Sequence, residues 1–312
     1  MSIPTLPALA CLTLLAACAA SVPVTPLATR QDLDYAGAER FVDVDGRRVA
    51  YTDSGGAGPP LLFVHPWAGN LAIWDAVAPR FEGRFRVLRV DLPGHGKSEG
   101  LAGAYGVEAV AASVTGLVDA LDLDGVTLIG NSLGGGVALA VVRDRPQRVA
   151  RLVLVDALGG GAVPGLFAVF IRTYFTPAMF AGVDDGLVEL FSDWFVFEHD
   201  TAGNRRFLSD LLSTRAGAEG WAWARAVADT LRDAVDYDAT PWLGDVAAPT
   251  LVVWGDDDWV IWSAHAQHLA ERIPDARLVV LDDCGHMPEV DCPQALAEAL
   301  DTFLEASRRP PD

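Results

Sequence analysis

The sequence predicts an α/β fold: a mostly parallel central sheet flanked by helices, into which a separate helical block is inserted. Three observations predict it. Short apolar runs at Leu61 to Val64, Val87 to Val90, Val126 to Ile129, Leu152 to Val155, Leu251 to Trp254 and Leu278 to Leu281 are each closed by turn residues. Such runs suit strands buried on both faces. Helix-period segments lie between them, at Leu71 to Pro79, Val107 to Leu121, Leu133 to Val142, Ser263 to Ile273 and Gln294 to Ala306. This alternation is that of a parallel sheet. It lapses once, from Gly159 to about Tyr237, where aromatics such as Phe167, Phe170, Phe175, Phe191, Trp194 and Trp223 accumulate without strand-like punctuation. That stretch reads as a helical cap over the carboxyl ends of the strands, where open α/β sheets bind ligands. The expected division is a core of residues 39–158 and 241–308, with residues 159–240 as the cap.

The chain of 312 residues carries 23 Lys and Arg against 42 Asp and Glu, a formal net charge of −19. This excludes a nucleic-acid partner on charge and disfavours docking to an anionic membrane surface. With 51% hydrophobic residues the chain is far from disordered composition, and its length supplies a core without metal or disulfide support.

Element by element, the chain opens with an uncharged apolar run, Ala8 to Ala20, too short to span a bilayer and of the length of a signal-peptide core. Leu15-Ala16-Ala17-Cys18 resembles a bacterial lipobox, which implies removal of residues 1–17 as a signal peptide and lipidation of Cys18. Ala17-Cys18-Ala19 fits ordinary cleavage nearly as well. Either way the protein is expected to be exported, periplasmic or membrane-anchored through Cys18 as a lipoprotein. Residues 18–38 are Pro-, Thr- and Ala-rich without periodicity and read as a tether. Cys284 and Cys292 flank His286, and a bridge between them or two buried thiols fit equally.

Folding begins with two strand-like segments around Asp45-Gly46, a hairpin signal. The sharpest signal follows the third buried run. Gly130-Asn131-Ser132-Leu133-Gly134, continued by Gly135 and Gly136, lies between a strand and a helix. A tight strand-to-helix turn of this kind holds Ser in a strained conformation with Oγ projecting, and a Cβ at the flanking positions would collide with neighbouring backbone. A phosphate-binding loop is the weaker reading, because neither a Lys-Ser/Thr pair nor G-x-G-x-x-G spacing is present.

Taken with three further loops, this segment makes residues 40–306 resemble the α/β-hydrolase superfamily with an inserted cap. His65-Pro66-Trp67-Ala68-Gly69-Asn70 resembles its His-Gly loop, and Asp91-Leu92-Pro93-Gly94-His95-Gly96-Lys97-Ser98 its D-x-x-G-x-G-x-S turn. Trp254-Gly255-Asp256-Asp257-Asp258 resembles its acid loop, and Gly285-His286-Met287-Pro288-Glu289 its histidine loop. The order Ser, Asp, His is the order of this fold. The resemblance implies Ser132 as nucleophile, His286 as base and Asp258 as the acid that orients it, with Asp256 the second candidate and Asp257 the third. It implies the backbone N–H groups of Leu133 and Trp67 as the oxyanion hole. Pro66 stands where Gly is usual and has no N–H to offer. Trp262 stands where Pro often follows the acid loop.

The remaining histidines have quieter readings. His65 and His95 read as structural hydrogen-bonders, and His265 and His268 as a solvated helix face lacking a third metal ligand. His199 has no visible partner. No cofactor or metal is called for, and the sequence sets no oligomeric state. A Ser nucleophile separates the chain from relatives that use Asp, leaving acyl-enzyme chemistry. The expected activity is hydrolysis of a small or medium apolar carboxylic ester. Carbon–carbon bond hydrolysis, perhydrolysis or acyl transfer share the triad, and some capped relatives are small-molecule sensors. Against carbon–carbon hydrolysis, residues 65–70 lack the Ser-Gly-x-Gly-Pro-Gly-like loop of those enzymes.

Overall fold

The computed structural model describes residue 22 and residues 24–306; Cys18 and the rest of the leader lie outside the described residues. Eight strands form one sheet in the order β1-β2-β4-β3-β5-β6-β7-β8. They are β1 (Glu39–Val44), β2 (Arg47–Asp53), β3 (Pro60–Val64), β4 (Arg86–Val90), β5 (Val126–Asn131), β6 (Val149–Val155), β7 (Thr250–Gly255) and β8 (Ala276–Leu281). Strand β2 runs antiparallel to β1 and β4, and β3 to β8 are parallel. The hairpin turn holds Asp45 at φ 51° and Gly46 at φ 77°. Two positive φ angles match the right-handed twist of the flanking strands.

Side chains alternate across the parallel strands as the pleat demands. Leu62, Val64, Leu128, Leu152, Leu154, Val252 and Trp254 face α1 (Val107–Ala120) and α2 (Leu133–Asp144). Leu61, Phe63, Ile129, Val153, Val155, Leu251 and Val253 face the other layer. Strand β8 departs from the expected two-sided burial. It ends the sheet, and Leu278 and Val280 are exposed there. The segment expected as one helix over Leu71 to Pro79 is instead two 3-10 turns, Leu71–Trp74 and Ala78–Phe81. Asn70 caps the first through its side chain, and Pro79 at the start of the second cannot supply the N–H that a continuous helix would need.

Between β6 and β7 the chain forms α3 (Gly165–Tyr174), α4 (Pro177–Gly182), α5 (Asp185–Phe195), α6 (Ala202–Ala216) and α7 (Gly220–Ala234). After β7 come α8 (Ala264–Arg272), then α9 (Pro288–Asp291) and α10 (Pro293–Ala306).

The expected tether is different in its described part. Leu27 N–H donates to the Ser213 carbonyl at 3.2 Å, Arg30 pairs with Glu219 at 3.0 Å, and Tyr35 Oη donates to Asp91 Oδ2 at 2.7 Å. Leu33 and Tyr35 are buried against Leu71 and Ala72. The segment is therefore a strap joining cap to core. Its few apolar residues are spaced for docking into existing grooves rather than for a helix or strand, so no periodicity reveals them.

Candidate active site

Ser132 sits between β5 and α2 at φ 52°, ψ −115°, a strained position for a residue with a side chain. The glycines make that turn sterically feasible. A Cβ on Gly130 would lie 2.2 Å from the Gly134 carbonyl oxygen, and one on Gly134 would lie 2.3 Å from that of Val64. One on Gly135 would lie 2.4 Å from the Ala157 Cβ. Leu133 opens α2, so its N–H is among the first four that have no partner within the helix.

His286 follows β8 and Asp258 follows β7. His286 Nδ1 and Asp258 Oδ2 are 2.9 Å apart, and both side chains are almost wholly buried. The second oxygen of Asp258 accepts the N–H groups of Val260 at 2.7 Å and Ile261 at 3.0 Å, which holds the carboxylate plane. Of the three adjacent aspartates only Asp258 makes this contact; Asp256 Oδ1 accepts the Cys284 N–H at 3.3 Å instead. Asn131 joins the nucleophile turn to the histidine loop, donating to the carbonyls of Val155 at 3.2 Å and His286 at 3.1 Å. From the cap side, the Val196 carbonyl accepts the His286 N–H at 2.9 Å.

The histidine loop is fastened twice more. Cys284 and Cys292 are disulfide-bonded with Cα atoms 5.8 Å apart. Buried Asp291 accepts the N–H groups of Gly285 at 2.7 Å, Glu198 at 3.0 Å and His199 at 2.8 Å, tying loop to cap.

The loop at residues 65–70 turns at Ala68, whose φ is 60°, with Gly69 N–H donating to the Pro66 carbonyl at 3.2 Å. Pro66 thus contributes an acceptor where it lacks a donor. The Trp67 indole donates to the Val227 carbonyl at 2.8 Å, and its ring stands edge-on to Phe180 at 5.3 Å. Phe180 contacts Phe175, Phe175 contacts Phe170, and Phe170 stacks near Phe167, each within about 6 Å between centroids. A run of aromatic rings therefore leads from the outer surface of α3 to the loop beside Ser132.

The D-x-x-G-x-G-x-S turn braces that loop. Asp91 accepts the N–H groups of Leu71 and Lys97, each at 2.8 Å, and its burial pushes the carboxyl up to about 6. A Cβ on Gly96 would come within 2.2 Å of the Asp91 carboxyl, so the position admits only glycine. His65 Nε2 accepts the Leu92 N–H at 2.9 Å, which leaves Nδ1 as donor to the Pro66 carbonyl at 2.7 Å. Burial lowers its pKa to about 3, and that of His95 to about 4, so both are neutral structural groups.

Two readings change. His199 bonds the Asp283 carbonyl at 2.9 Å, and that contact raises its pKa. His265 is half-buried against Gly160 and Gly161, while His268 bonds the Gly160 carbonyl at 3.1 Å, so this pair secures the turn after β6. Trp262 is exposed.

Sequence reasoning missed Asp156. It directly follows β6 at φ 43°, is fully buried, and accepts the Gly255 N–H at 2.9 Å. Asp156, Asp258 and His286 present oxygen and nitrogen atoms within 4.8 Å of one another. Such a trio has the spacing of metal ligands, but the His286–Asp258 hydrogen bond already accounts for its compactness. Burial, and then the charge of Asp258, raises the Asp156 carboxyl well above the ordinary range. Its Oδ2 has no donor among the described residues. The one signal in the sequence was a lone Asp closing an apolar strand run.

The α/β-hydrolase-fold family model matches residues 59–291. The chain belongs to the α/β-hydrolase family. It is 30% identical over 288 residues to a 2-hydroxy-6-oxononadienedioate/2-hydroxy-6-oxononatrienedioate hydrolase of Cupriavidus pinatubonensis, covering 88% of this chain and 98% of that one. Among solved structures, a thermophilic esterase from Thermogutta terrifontis superposes with a TM-score of 0.74 at 25% identity, covering 88% of this chain and 100% of the other. A membrane phospholipase A does so with a TM-score of 0.71 at 26% identity, covering 88% and 87%.

Proposed function

We propose that the protein is a serine hydrolase of small or medium apolar carboxylic esters, working through an acyl-enzyme. The observation that carries this reading is Ser132 held at φ 52° in a turn that Asn131 ties to the histidine loop, where His286 bonds Asp258 at 2.9 Å. Ser132 Oγ attacks the ester carbonyl while its proton passes to His286. The oxyanion is met by the N–H groups of Leu133 and Trp67. Collapse breaks the ester C–O bond, and the alcohol leaves with the proton from His286. Water, deprotonated by His286, then cleaves the acyl-enzyme, releasing the acid and restoring Ser132. Asp258 holds the imidazole in the tautomer that this cycle needs. The aromatic run from Phe167 to Trp67 supports an apolar substrate, and the esterase likeness supports ester as the scissile bond.

Ser132→Ala should reduce turnover of a p-nitrophenyl butyrate by about 10⁴-fold or more and abolish labelling by a fluorophosphonate. Retained activity would refute the assignment. The similarity to a carbon–carbon bond hydrolase favours a second reading on the same triad. Comparing kcat/KM for the ester and for a 2-hydroxy-6-oxo-dienoate decides between them.

We also propose export, with Cys18 lipidated. The Cys284–Cys292 bridge supports an oxidising compartment. Mass spectrometry of the mature N-terminus tests it; an unmodified start at Ala20 would dismiss the lipid.

A further inference from the structure

Helix α5 turns most of its large apolar side chains outward. Its buried residues are Glu189 and Ser192, 4% and 5% exposed, while Leu187, Phe191, Trp194 and Phe195 stand outward at 40%, 53%, 63% and 46%. At 100° per residue those four side chains occupy one arc of about 100°, with Glu189 on the opposite side and Ser192 flanking it. A helix packed on a core in water has the reverse arrangement. On its inner side α5 packs only the partly buried Val188 against the core, whereas α3, which also exposes Phe167 and Phe170, buries Ala168 and Ile171 against α7.

What covers the α5 stripe is indicated by where the chain enters. The Val22 N–H donates to Glu189 Oε1 at 2.8 Å, so the polar inner face of α5 is the mooring of the N-terminal segment. Cys18 is four residues earlier, within about 14 Å of that point even if fully extended. A leader or a lipid at Cys18 is therefore within reach of a bilayer that contacts the outward stripe. α5 has 11 residues, half of what a spanning helix needs. Trp and Phe on a short amphipathic helix suit the headgroup boundary.

We propose that the outer face of α5, formed by Leu187, Phe191, Trp194 and Phe195, docks on a lipid bilayer surface next to the membrane-entering N-terminus. The fitting surface is zwitterionic. The stripe contains no Lys or Arg, Asp193 lies close by, and the chain's net charge of −19 repels anionic headgroups.

The test reads contact of one side chain with acyl chains rather than attachment as such. The full chain is mixed with vesicles of phosphatidylcholine brominated in its acyl chains, and tryptophan quenching is recorded. Wild type should be quenched, and Trp194→Phe should remove a distinct share of the quenched emission. The exposed-site variant Leu187→Ser/Phe191→Ser/Phe195→Ser, which keeps Trp194, should lower quenching by roughly threefold or more. Equal quenched amplitude in wild type and Trp194→Phe overturns the proposal. So does a dimer that the triple variant dissociates, with Trp194 unquenched, since the stripe would then serve a second copy of the chain. The readout holds whichever N-terminus the mature chain carries, so loss of the lipidation reading and loss of this one are separable.

Discussion

The central sheet and the cap obey different rules of burial. In β5, Leu128 and Ile129 are both fully buried, one in each core layer, because a parallel strand covered by helices on both faces has no solvent side. In α5 Leu187, Phe191, Trp194 and Phe195 are exposed while a carboxylate is buried. Apolar patterning therefore reports which side of an element avoids water. That side is the protein interior in the sheet, but it need not be in the cap.

The sharpest way to break this comparison is a matched pair of truncations. Leu128→Ala should cost about 2–5 kcal/mol in urea unfolding, since it empties a sealed site. Phe191→Ala should change stability by no more than about 0.5 kcal/mol. If Phe191→Ala cost as much as Leu128→Ala, the stripe would be packed within the protein after all.

The junction between the two regions is next. The disulfide closes an eight-residue loop around His286, and opening it with Cys292→Ser should lower stability by about 2–3 kcal/mol on the chain-entropy view. Denaturant midpoints of the two forms measure it. A change confined to activity would instead mean that the bridge positions His286 without supporting the fold.

Smaller in free energy, and aimed at the chemistry, is Asp156. If it donates a proton to Asp258, Asp156→Asn keeps a donor there and should retain most of kcat. Asp156→Ala should lose about tenfold, roughly 1.4 kcal/mol of barrier. If Asp156 is ionised instead, Asp156→Asn removes a charge beside the triad and should shift the acid limb of kcat/KM to lower pH.

The pH dependence of stability turns on Glu289, fully buried in the histidine loop, whose carboxyl is pushed up to about 8 by burial from an ordinary value of 4.5. The folded state keeps that proton where the unfolded chain has lost it. The stabilisation is complete at acid pH and disappears as pH rises through about 8. Tm should therefore fall by on the order of a few °C between about pH 6 and pH 9, and Glu289→Gln should flatten the slope. An unchanged slope would assign it to other groups.

Much of the candidate site was legible because its signals are local. The glycines flanking Ser132 are spaced by the geometry of one strand-to-helix turn, and the loops after β4, β7 and β8 carry their own short patterns. The strap at residues 24–38 was not legible, since Leu33 and Tyr35 dock without period. Nor was the break in the helix expected over Leu71 to Pro79, where Asn70 and Pro79 act through capping and a missing N–H.

The sequence by itself determined the alternation of strands and helices, the glycine-built turn at Ser132, the order of the chemical loops and the presence of an aromatic cap. These follow from steric limits and periodicities that act over a few residues. The tertiary structure showed Asp258, the sequence's first choice, in contact with His286, and only it decided that Asp156 stands behind that pair and that α5 turns its aromatic stripe outward. Each depends on side-chain direction between segments 28 to about 170 positions apart, from the acid loop to His286 and from Val22 to Glu189. Sequence spacing ranked Asp258 first among the three aspartates, but it carries no record of such directions for Asp156 or α5.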